Sequence, residues 1–253
     1  MPLVDYSLNI IKKLIDSVKQ QPERTNTVLT LSYPDLVVSR AVLASIFGIG
    51  VASAVPDRED SEATINWHKA SDITLSIPDT KALFKALGFE MDSIDRVEGR
   101  GGEMIHDLSD PLPDSWLDNF YDIVFDCISN QCFNIAQVWS TMVSCCRVGG
   151  YILSVTPVTM VNQGFWCVNP AAYADFARAN DLEIVSREVV VGVYTKQGTI
   201  DIGPVRRHRN VPDDAMNVVV MQKKKHTHKP IWPIMSKFRV YPKCQIETPK
   251  GDR

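Results

Sequence analysis

The sequence predicts an α/β fold: a mostly parallel sheet with helices on both faces and an antiparallel pair of strands at its C-terminal end. Short apolar runs rich in β-forming residues alternate with segments of helical periodicity, which is the pattern of parallel strands joined by helical crossovers. Two later β runs, residues 182–194 and 215–222, follow one another with no helix between them. Strands connected in that way pair antiparallel, so we expect them at one edge of the sheet.

The first half of the chain supplies local signals for several elements. Apolar residues at helical spacing predict a helix over residues 8–18, and a capped helix is predicted over residues 76–87. Residues 48–54 are interpreted as a helix stop followed by a strand over 51–55. A phosphate-binding loop is the alternative there, although a third glycine is missing. Residues 56–63 are polar and charged, which predicts an exposed loop.

The remaining elements follow from shorter patterns. Arg147 and the two glycines after it predict a tight turn that closes a helix. Strands are predicted over residues 27–31, 89–95, 104–105, 121–125 and 151–155, and helices over 36–47, 133–146 and 171–179.

Length and composition limit the class of protein. With 253 residues, 45% hydrophobic and 23% charged, the chain fits a single domain over residues 1–222, followed by a basic extension over 223–253. The extension is expected to be solvated or docked on the body, with contact to a membrane surface or another chain as an alternative. A net charge of -3 gives no electrostatic reason to expect nucleic acid binding. No long apolar run is present, so we expect a cytoplasmic protein with no integral membrane segment.

The cysteines indicate core packing. None of them shows the paired CxxC spacing of a zinc site, and four lie in or beside predicted core elements. We therefore expect reduced thiols and no metal site, and we prefer that interpretation to disulfides. The six cysteines are Cys127, Cys132, Cys145, Cys146, Cys167 and Cys244.

Acidic residues follow three of the predicted strands. In an open parallel sheet, ligands bind beyond the carboxyl ends of the strands, so Asp107 and Asp126 are expected to face one crevice. Asp95 ends the strand that follows the first one, where a carboxylate commonly accepts hydrogen bonds from both ribose hydroxyls. Glu98 is the second choice for that role. A turn-forming aspartate at a strand end is the alternative interpretation of Asp95.

Residues 161–170 form a loop dense in amide and aromatic side chains. Such a mixture suits a polar, ring-shaped ligand, because the rings offer flat contact and the amides offer donors and acceptors. Simple turn formation by the asparagines is the alternative. His68, beside Trp67, is a candidate general base or else a packing histidine. The predicted substrate-binding residues are Asn130, Asn162, Phe165, Trp166 and Asn169.

Several segments together resemble a known family. They are Leu31-Ser32-Tyr33-Pro34-Asp35, His106-Asp107-Leu108 with Pro111-Leu112-Pro113, the DIVFD run at 122–126 before a helix and Gly149-Gly150, Cys132-Phe133-Asn134, and Gly164-Phe165-Trp166 with Asn169-Pro170. In this order they resemble the class I S-adenosylmethionine-dependent methyltransferases over residues 28–223. They are most similar to a branch associated with bacterial polysaccharide and small-metabolite genes. The resemblance implies a Rossmann-like sheet.

The resemblance also implies roles for the matched positions. Asp107 would accept the exocyclic amine proton of the adenine, and the Leu108 N–H would meet a ring nitrogen. Asp95 would hold the ribose, and residues 126–130 would lie against the methionine part and the acceptor. Ser32-Tyr33-Pro34-Asp35 replaces the family's glycine-rich turn. The implied cofactor-binding residues are Ser32, Tyr33, Asp35, Asp95, Asp107, Leu108, Asp126 and Cys127.

The function implied is methyl transfer from S-adenosylmethionine to oxygen or nitrogen of a polar small molecule or sugar, with His68, His106 and Asp126 as catalytic candidates. A homo-oligomer is an open alternative for the assembly. Gln131-Cys132 stands where many relatives carry Glu-His, which favours a second interpretation, a catalytically altered module that binds a cofactor or a partner. A nicotinamide-dependent oxidoreductase is the third, and the absence of GxGxxG argues against it.

Overall fold

The structure, a computed structural model, describes residues 2–113, 117–192, 196–200, 210–227 and 230–235. Within these residues the chain forms a sheet of eight strands. The strands are β1 (Thr27–Leu31), β2 (Glu90–Asp95), β3 (Met104–Ile105), β4 (Tyr121–Asp126), β5 (Cys146–Pro157), β6 (Leu182–Val191), β7 (Gly198–Ile200) and β8 (Ala215–Lys223). Their order across the sheet is β3-β2-β1-β4-β5-β8-β6-β7.

The first five strands are parallel, and the C-terminal strands are antiparallel to their neighbours. β8 lies between β5 and β6 and runs antiparallel to both. The predicted fold class, a Rossmann-like sheet with an antiparallel C-terminal pair, is therefore confirmed. The strand order reverses between β1 and β4, since the chain continues to β2 on one side and later to β5 on the other. Ligands of open α/β sheets bind at such a reversal.

Helices cover both faces of the sheet. The helices are α1 (Asp5–Lys19), α2 (Arg40–Phe47), α3 (Ile49–Ala54), α4 (Ser61–His68), α5 (Thr80–Ala86), α6 (Ile135–Cys145) and α7 (Pro170–Ala179). Val28 packs with α1, α2, α3 and α5, whereas its neighbour Leu29 packs with α6 and α7. Successive side chains of a strand point to opposite faces, so the parallel strands are apolar on both sides.

The strand predicted over residues 51–55 is wrong, because this segment lies in α3. Gly48 has a φ of +92°, which ends α2 and lets a new helix begin at once. The Arg40 guanidinium then donates hydrogen bonds to the carbonyls of Ala52 and Val55 at 2.7 and 2.6 Å. These bonds satisfy carbonyl groups that the end of a short helix otherwise leaves without partners.

Other boundaries also differ from the predictions. The helix predicted from residue 36 begins at Arg40, because Leu36 pairs with Leu3 in an isolated bridge. The helix predicted from residue 76 begins at Thr80, since its N-cap is Asp79, whose carboxylate accepts a hydrogen bond from the N–H of Ala82 at 2.6 Å. The loop predicted over residues 56–63 gives way to α4 at residue 61.

The tight turn predicted at residues 147–150 is also wrong, because these residues belong to β5. They form an irregularity opposite Asp122, between the pairs Tyr121↔Cys146 and Ile123↔Tyr151. Arg147 reaches back to bind the buried Asp122 carboxylate. A Cβ atom on Gly150 would lie 2.9 Å from the Asp122 carbonyl oxygen, so a glycine is needed there for close approach and not for a turn.

Lys223, which the prediction assigned to the basic extension, is the last residue of β8 and is buried. Its ammonium group donates hydrogen bonds to the carbonyl oxygens of Val143 and Cys146, both at 2.7 Å. The cation thus satisfies carbonyls at the C-terminal end of α6. Burial lowers the pKa of Lys223 from its ordinary value. Most of the predicted extension lies outside the described residues.

Five of the cysteines lie in the described part of the chain, and all five are free thiols. Cys127, Cys145 and Cys146 are buried as expected, while Cys132 is half-buried and Cys167 is exposed. No helix in the described ranges has the length and apolar character needed to cross a membrane.

Candidate functional site

The carboxyl ends of β1 and β2 meet at Ser32 and Asp95. Leu31, the last residue of β1, is paired with Ile94 of β2. Ser32 and Asp95, the residues that follow this pair, therefore lie beside each other. The Ser32 hydroxyl donates a hydrogen bond to Asp95 Oδ2 at 2.7 Å, and the Arg96 N–H donates to Oδ1 at 2.7 Å. A carboxylate can accept about four hydrogen bonds, so roughly two acceptor positions of Asp95 remain for a ligand. Ser32 has a φ of 68°, a left-handed conformation that is uncommon for serine.

The segment after β3 carries His106, Asp107 and Leu108. Asp107 is partly exposed, and its Oδ1 accepts a hydrogen bond from the Ser109 N–H at 2.9 Å. That bond lowers the pKa of Asp107. Leu108 is buried against the core on the α6 side of the sheet. His106 Nε2 donates to the Asp110 carbonyl oxygen at 3.2 Å, which leaves Nδ1 of the neutral ring as an acceptor.

Asp126, at the end of β4, is fully buried and fully bonded. Its Oδ1 accepts from the N–H groups of Ile128 and Ser129 at 3.2 and 2.9 Å. Its Oδ2 accepts from the hydroxyls of Ser129 and Ser154 at 2.7 and 2.6 Å. These bonds use the acceptor positions of the carboxylate. Asp126 therefore organises the ends of β4 and β5, and in this arrangement it has no position left for a ligand proton.

The segment after β1 is held by a group of charged side chains that we call the ion cluster, formed by Asp35, Arg58, Asp60, His68 and Arg100. The Arg100 guanidinium donates two hydrogen bonds to the Asp35 carboxylate, each 3.0 Å long, and a third to Asp60 at 3.1 Å. His68 Nε2 lies 2.9 Å from Asp35 Oδ2. Arg58 binds Asp60 through its Nε at 2.8 Å. The cluster ties together the segments that carry Asp35, α4 and the loop between β2 and β3.

Tyr33 packs against the ion cluster. Its hydroxyl donates a hydrogen bond to Asp79 Oδ2 at 2.9 Å, and the Arg58 guanidinium carbon lies 5.2 Å from the centre of its ring. Burial, followed by the negative charge of Asp79, raises the pKa of Tyr33 to about 12. The buried Cys127 thiol donates a hydrogen bond to the carbonyl of Leu31, at the end of β1, at 3.0 Å. Burial raises the pKa of the Cys127 thiol to about 11. Both groups are therefore protonated at neutral pH.

Replacing Asp35 with asparagine is expected to flatten the loss of stability at acid pH. Burial alone would raise the pKa of Asp35, but the hydrogen bonds from His68 and Arg100 outweigh it, so the folded pKa lies below 3.8. The stabilisation is thus complete above pH 3.8 and is lost as the pH falls through the folded pKa. Urea unfolding at a series of pH values should show a shallower slope below that point for the variant than for the wild type.

A matched control for this comparison is Asp72→Asn, which removes one exposed carboxylate outside the ion cluster. Its free energy of unfolding should follow the wild-type curve. Equal slopes for Asp35→Asn and the wild type would contradict the role assigned to Asp35.

Two loops at the ends of β4 and β5 are in direct contact. The Asn130 side-chain amide donates to the Gln163 carbonyl at 2.8 Å, and the Asn130 carbonyl accepts from the N–H of Phe165 at 2.8 Å. A Cβ atom on Gly164 would lie 2.5 Å from Asn130 Nδ2 and 2.6 Å from the Asn130 carbonyl oxygen. Glycine is therefore required for this approach.

An exposed aromatic surface lies beside these loops. Phe133 contacts Phe165 edge to face at a centroid distance of 5.5 Å and Trp166 at 5.8 Å. The Trp166 indole N–H donates to the Cys132 carbonyl at 3.1 Å. The neighbouring cavity, about 590 Å³, is lined by Gln131, Asn162, Gln163, Gly164 and Phe165.

The structure places most of the predicted site residues at the carboxyl ends of β1 to β5. Asn169 differs from the others, because its side chain accepts a hydrogen bond from the Ala171 N–H at 2.9 Å and caps α7. Sequence reasoning missed Arg100 and Ser154, which bind Asp35 and Asp126. The glycine-bearing segment around Arg100 was the available signal for a loop, but it did not reveal the partner of the arginine.

The chain was compared with known families, curated proteins and solved structures, and only solved structures resemble it, at the level of the fold. No family model and no curated protein matches the chain. The CMeT domain of the citrinin polyketide synthase is 11% identical with a TM-score of 0.43, over 86% of this chain and 52% of that chain, so this chain spans about half its length. The N-methyltransferase NodS from Bradyrhizobium japonicum WM9 is 8% identical with a TM-score of 0.40, over 85% of this chain and 96% of NodS.

A third solved structure is a 1,6-didemethyltoxoflavin-N1-methyltransferase from Burkholderia thailandensis, with bound 1,6-didemethyltoxoflavin and S-adenosylhomocysteine. It is 10% identical with a TM-score of 0.38, over 84% of this chain and 77% of that one. Likenesses of this size concern the fold alone. The function is therefore inferred from the residues of this chain.

Proposed function

We propose that this protein transfers a methyl group from S-adenosylmethionine to oxygen or nitrogen of a polar small molecule or sugar. The observation that carries the proposal is Asp95, a half-buried carboxylate at the end of β2, beside β1, that keeps about two acceptor positions free. Two vicinal ribose hydroxyls need such a pair of acceptors. The sheet order and the position of Asp95 together support a nucleoside-containing ligand in this crevice.

The residues around the crevice fit the rest of the cofactor. Asp107 is partly exposed at the end of β3, where its carboxylate would accept the adenine amine proton. The Leu108 backbone would face the adenine ring. When bound, S-adenosylmethionine would supply a methyl group on a positively charged sulfur. The chain itself has to hold the acceptor in line with that carbon, which is a task of positioning.

The acceptor is proposed to lie at the contact between the loops after β4 and β5. Asn162 and Phe165 line the cavity there, and they offer an amide and an exposed ring to a polar ring-shaped molecule. His106 is the proposed base among the three candidates, because the His68 ring lies inside the ion cluster with only 12% of its side chain exposed and Asp126 is fully bonded. Its Nδ1 is the ring nitrogen that would take the proton from the substrate that receives the methyl group.

Thermal unfolding in the presence of S-adenosylhomocysteine or of NAD tests the proposal. We expect S-adenosylhomocysteine to bind and, at 100 times its dissociation constant, to stabilise the fold by about 2.7 kcal/mol. NAD should produce no stabilisation. Transfer of a labelled methyl group from S-adenosylmethionine to small-molecule extracts would then identify the acceptor. Stabilisation by NAD alone, or by neither compound, would contradict the proposal.

A second candidate function is a catalytically altered module that binds the cofactor or a partner. It is favoured by the enclosure of His68 in the ion cluster and by the internal bonding of Asp126, which leave His106 as the accessible one of the three predicted catalytic groups. Gln131-Cys132 adds no acid or base, because burial raises the pKa of the Cys132 thiol to about 11. Binding of S-adenosylhomocysteine with no methyl transfer to any extract would favour this function.

A further inference from the structure

Ser32 holds a backbone conformation that is costly for residues other than glycine. Its φ of 68° lies in the left-handed region, where the Cβ atom of an L-residue crowds a neighbouring carbonyl oxygen. Among the other residue types, mainly asparagine and aspartate occupy this region. Glycine would adopt the same conformation without the crowding. The serine at this position therefore has a reason outside its own backbone.

The surrounding chain fixes this conformation. The Ser32 N–H donates a hydrogen bond to the Ile94 carbonyl at 2.7 Å, which ties the residue to the end of β2. Two residues further on, the Thr80 hydroxyl donates to the Pro34 carbonyl at 2.6 Å and ties the same segment to α5. A strained conformation persists where its neighbours determine it in this way, and such residues concentrate at functional sites.

The reason lies in the contact of the Ser32 side chain with Asp95. The Ser32 hydroxyl donates to Asp95 Oδ2 at 2.7 Å, and the Arg96 N–H donates to Oδ1 at 2.7 Å. With one donor on each oxygen, the carboxylate plane is held against rotation about its terminal torsion, which is otherwise soft. Without the hydroxyl, the Arg96 bond is the only one that the described residues give to this carboxylate. Ser32 therefore sets the direction of the acceptor positions that remain on Asp95.

We propose that Ser32 is a positioning residue, whose hydroxyl aligns the Asp95 carboxylate with the ribose hydroxyls of the cofactor. The inference rests on the proposed function, because that function places the ribose at Asp95. Two vicinal hydroxyls need two acceptor positions at set angles, so a carboxylate that is aligned before binding gives a higher affinity. The strain at Ser32 is a loss of stability that serves binding.

Ser32→Gly and Ser32→Ala form a matched pair, because both remove the hydroxyl and only glycine relieves the left-handed conformation. We expect both variants to bind S-adenosylhomocysteine about tenfold more weakly than the wild type, the effect of one hydrogen bond. Ser32→Gly should nevertheless unfold about 3 °C above Ser32→Ala. The affinity then follows the hydroxyl, and the stability follows the backbone. Calorimetric titration measures the first quantity, and scanning calorimetry measures the second.

A double-mutant cycle tests whether Ser32 acts through Asp95. On the Asp95→Ala background, Ser32→Gly should change the affinity for S-adenosylhomocysteine by less than about twofold, because the carboxylate that the hydroxyl aligns is already absent. Lys69→Gly is the control for the backbone change. Lys69 is an exposed residue with a φ of 52° at the C-cap of α4, and its replacement should leave the affinity unchanged.

The possible results separate this inference from the proposed function. Wild-type affinity in both single variants of Ser32 would overturn its role and leave the cofactor site intact. A further tenfold loss in the double variant would assign Ser32 to the ligand itself and would also overturn the positioning role. Equal stability of Ser32→Gly and Ser32→Ala would contradict the strain. No binding of S-adenosylhomocysteine to the wild type would overturn the proposed function together with this inference.

Discussion

Replacing Asp95 with alanine is expected to lower the affinity for S-adenosylhomocysteine about 100-fold, because two charge-assisted hydrogen bonds to ribose hydroxyls are lost. The fold should remain intact. Asp95 is half-buried, and within the protein its side chain accepts hydrogen bonds only from the Ser32 hydroxyl and the Arg96 N–H among the described residues. We therefore expect a loss of about 1 kcal/mol in the free energy of unfolding. Calorimetric titration measures the first quantity, and urea unfolding measures the second.

Glu98→Ala is the control for this variant. Glu98 is an exposed acidic residue three positions further along the same loop, and it was the second sequence candidate for the ribose. Its removal should leave the dissociation constant unchanged. An unchanged affinity in Asp95→Ala, together with a loss in Glu98→Ala, would move the ribose site along the loop. An unchanged affinity in both variants would remove the basis for the proposed cofactor site.

Replacing Asp126 with alanine is expected to destabilise the fold by about 4 kcal/mol. The change leaves two N–H groups and two serine hydroxyls without their acceptor in a fully buried position. For a chain of this size such a loss corresponds to a fall of about 10 °C in Tm. Scanning calorimetry would measure it directly.

The effect should reach beyond β4, because Ser154 also bonds the hydroxyl of Tyr173 at 2.8 Å. That contact links the end of β5 to α7. Asp110→Ala is the control, since it removes an exposed carboxylate at the same edge of the sheet and should change stability by less than about 0.5 kcal/mol. A stable Asp126→Ala variant that binds S-adenosylhomocysteine poorly would instead assign Asp126 to the ligand.

The two aspartates show where prediction from the sequence was sufficient and where it was not. Both end a predicted parallel strand, and the structure places both at the predicted edge of the sheet. The sequence could not distinguish them, because the difference is the number of donors that each carboxylate meets. Three of the donors to Asp126 come from the loop that follows it, but the Ser154 hydroxyl comes from β5, the neighbouring strand.

The wrong predictions of a strand at α3 and of a turn at Gly150 have a similar origin. The segment 49–54 is short and apolar, so the periodicity of its apolar residues did not distinguish a strand from a helix. Arg40, on the preceding helix, determined the outcome by binding the carbonyls at the end of α3. Likewise Gly150 had the local pattern of a turn residue, whereas its actual constraint is the Asp122 carbonyl beside it.

By itself, the sequence determined the layered α/β architecture, the strands β1 to β4, the antiparallel pairing of β6 with β8 and the edge at which acidic residues gather. These features depend on hydrophobic periodicity and on short-range connection rules, which are local in the chain. Only the tertiary structure decided which carboxylates are already bonded and that His106 bonds through Nε2, with Nδ1 left as the acceptor. Those properties depend on partners far apart in sequence, because a side chain's solvation and charge are set by whatever the fold packs against it.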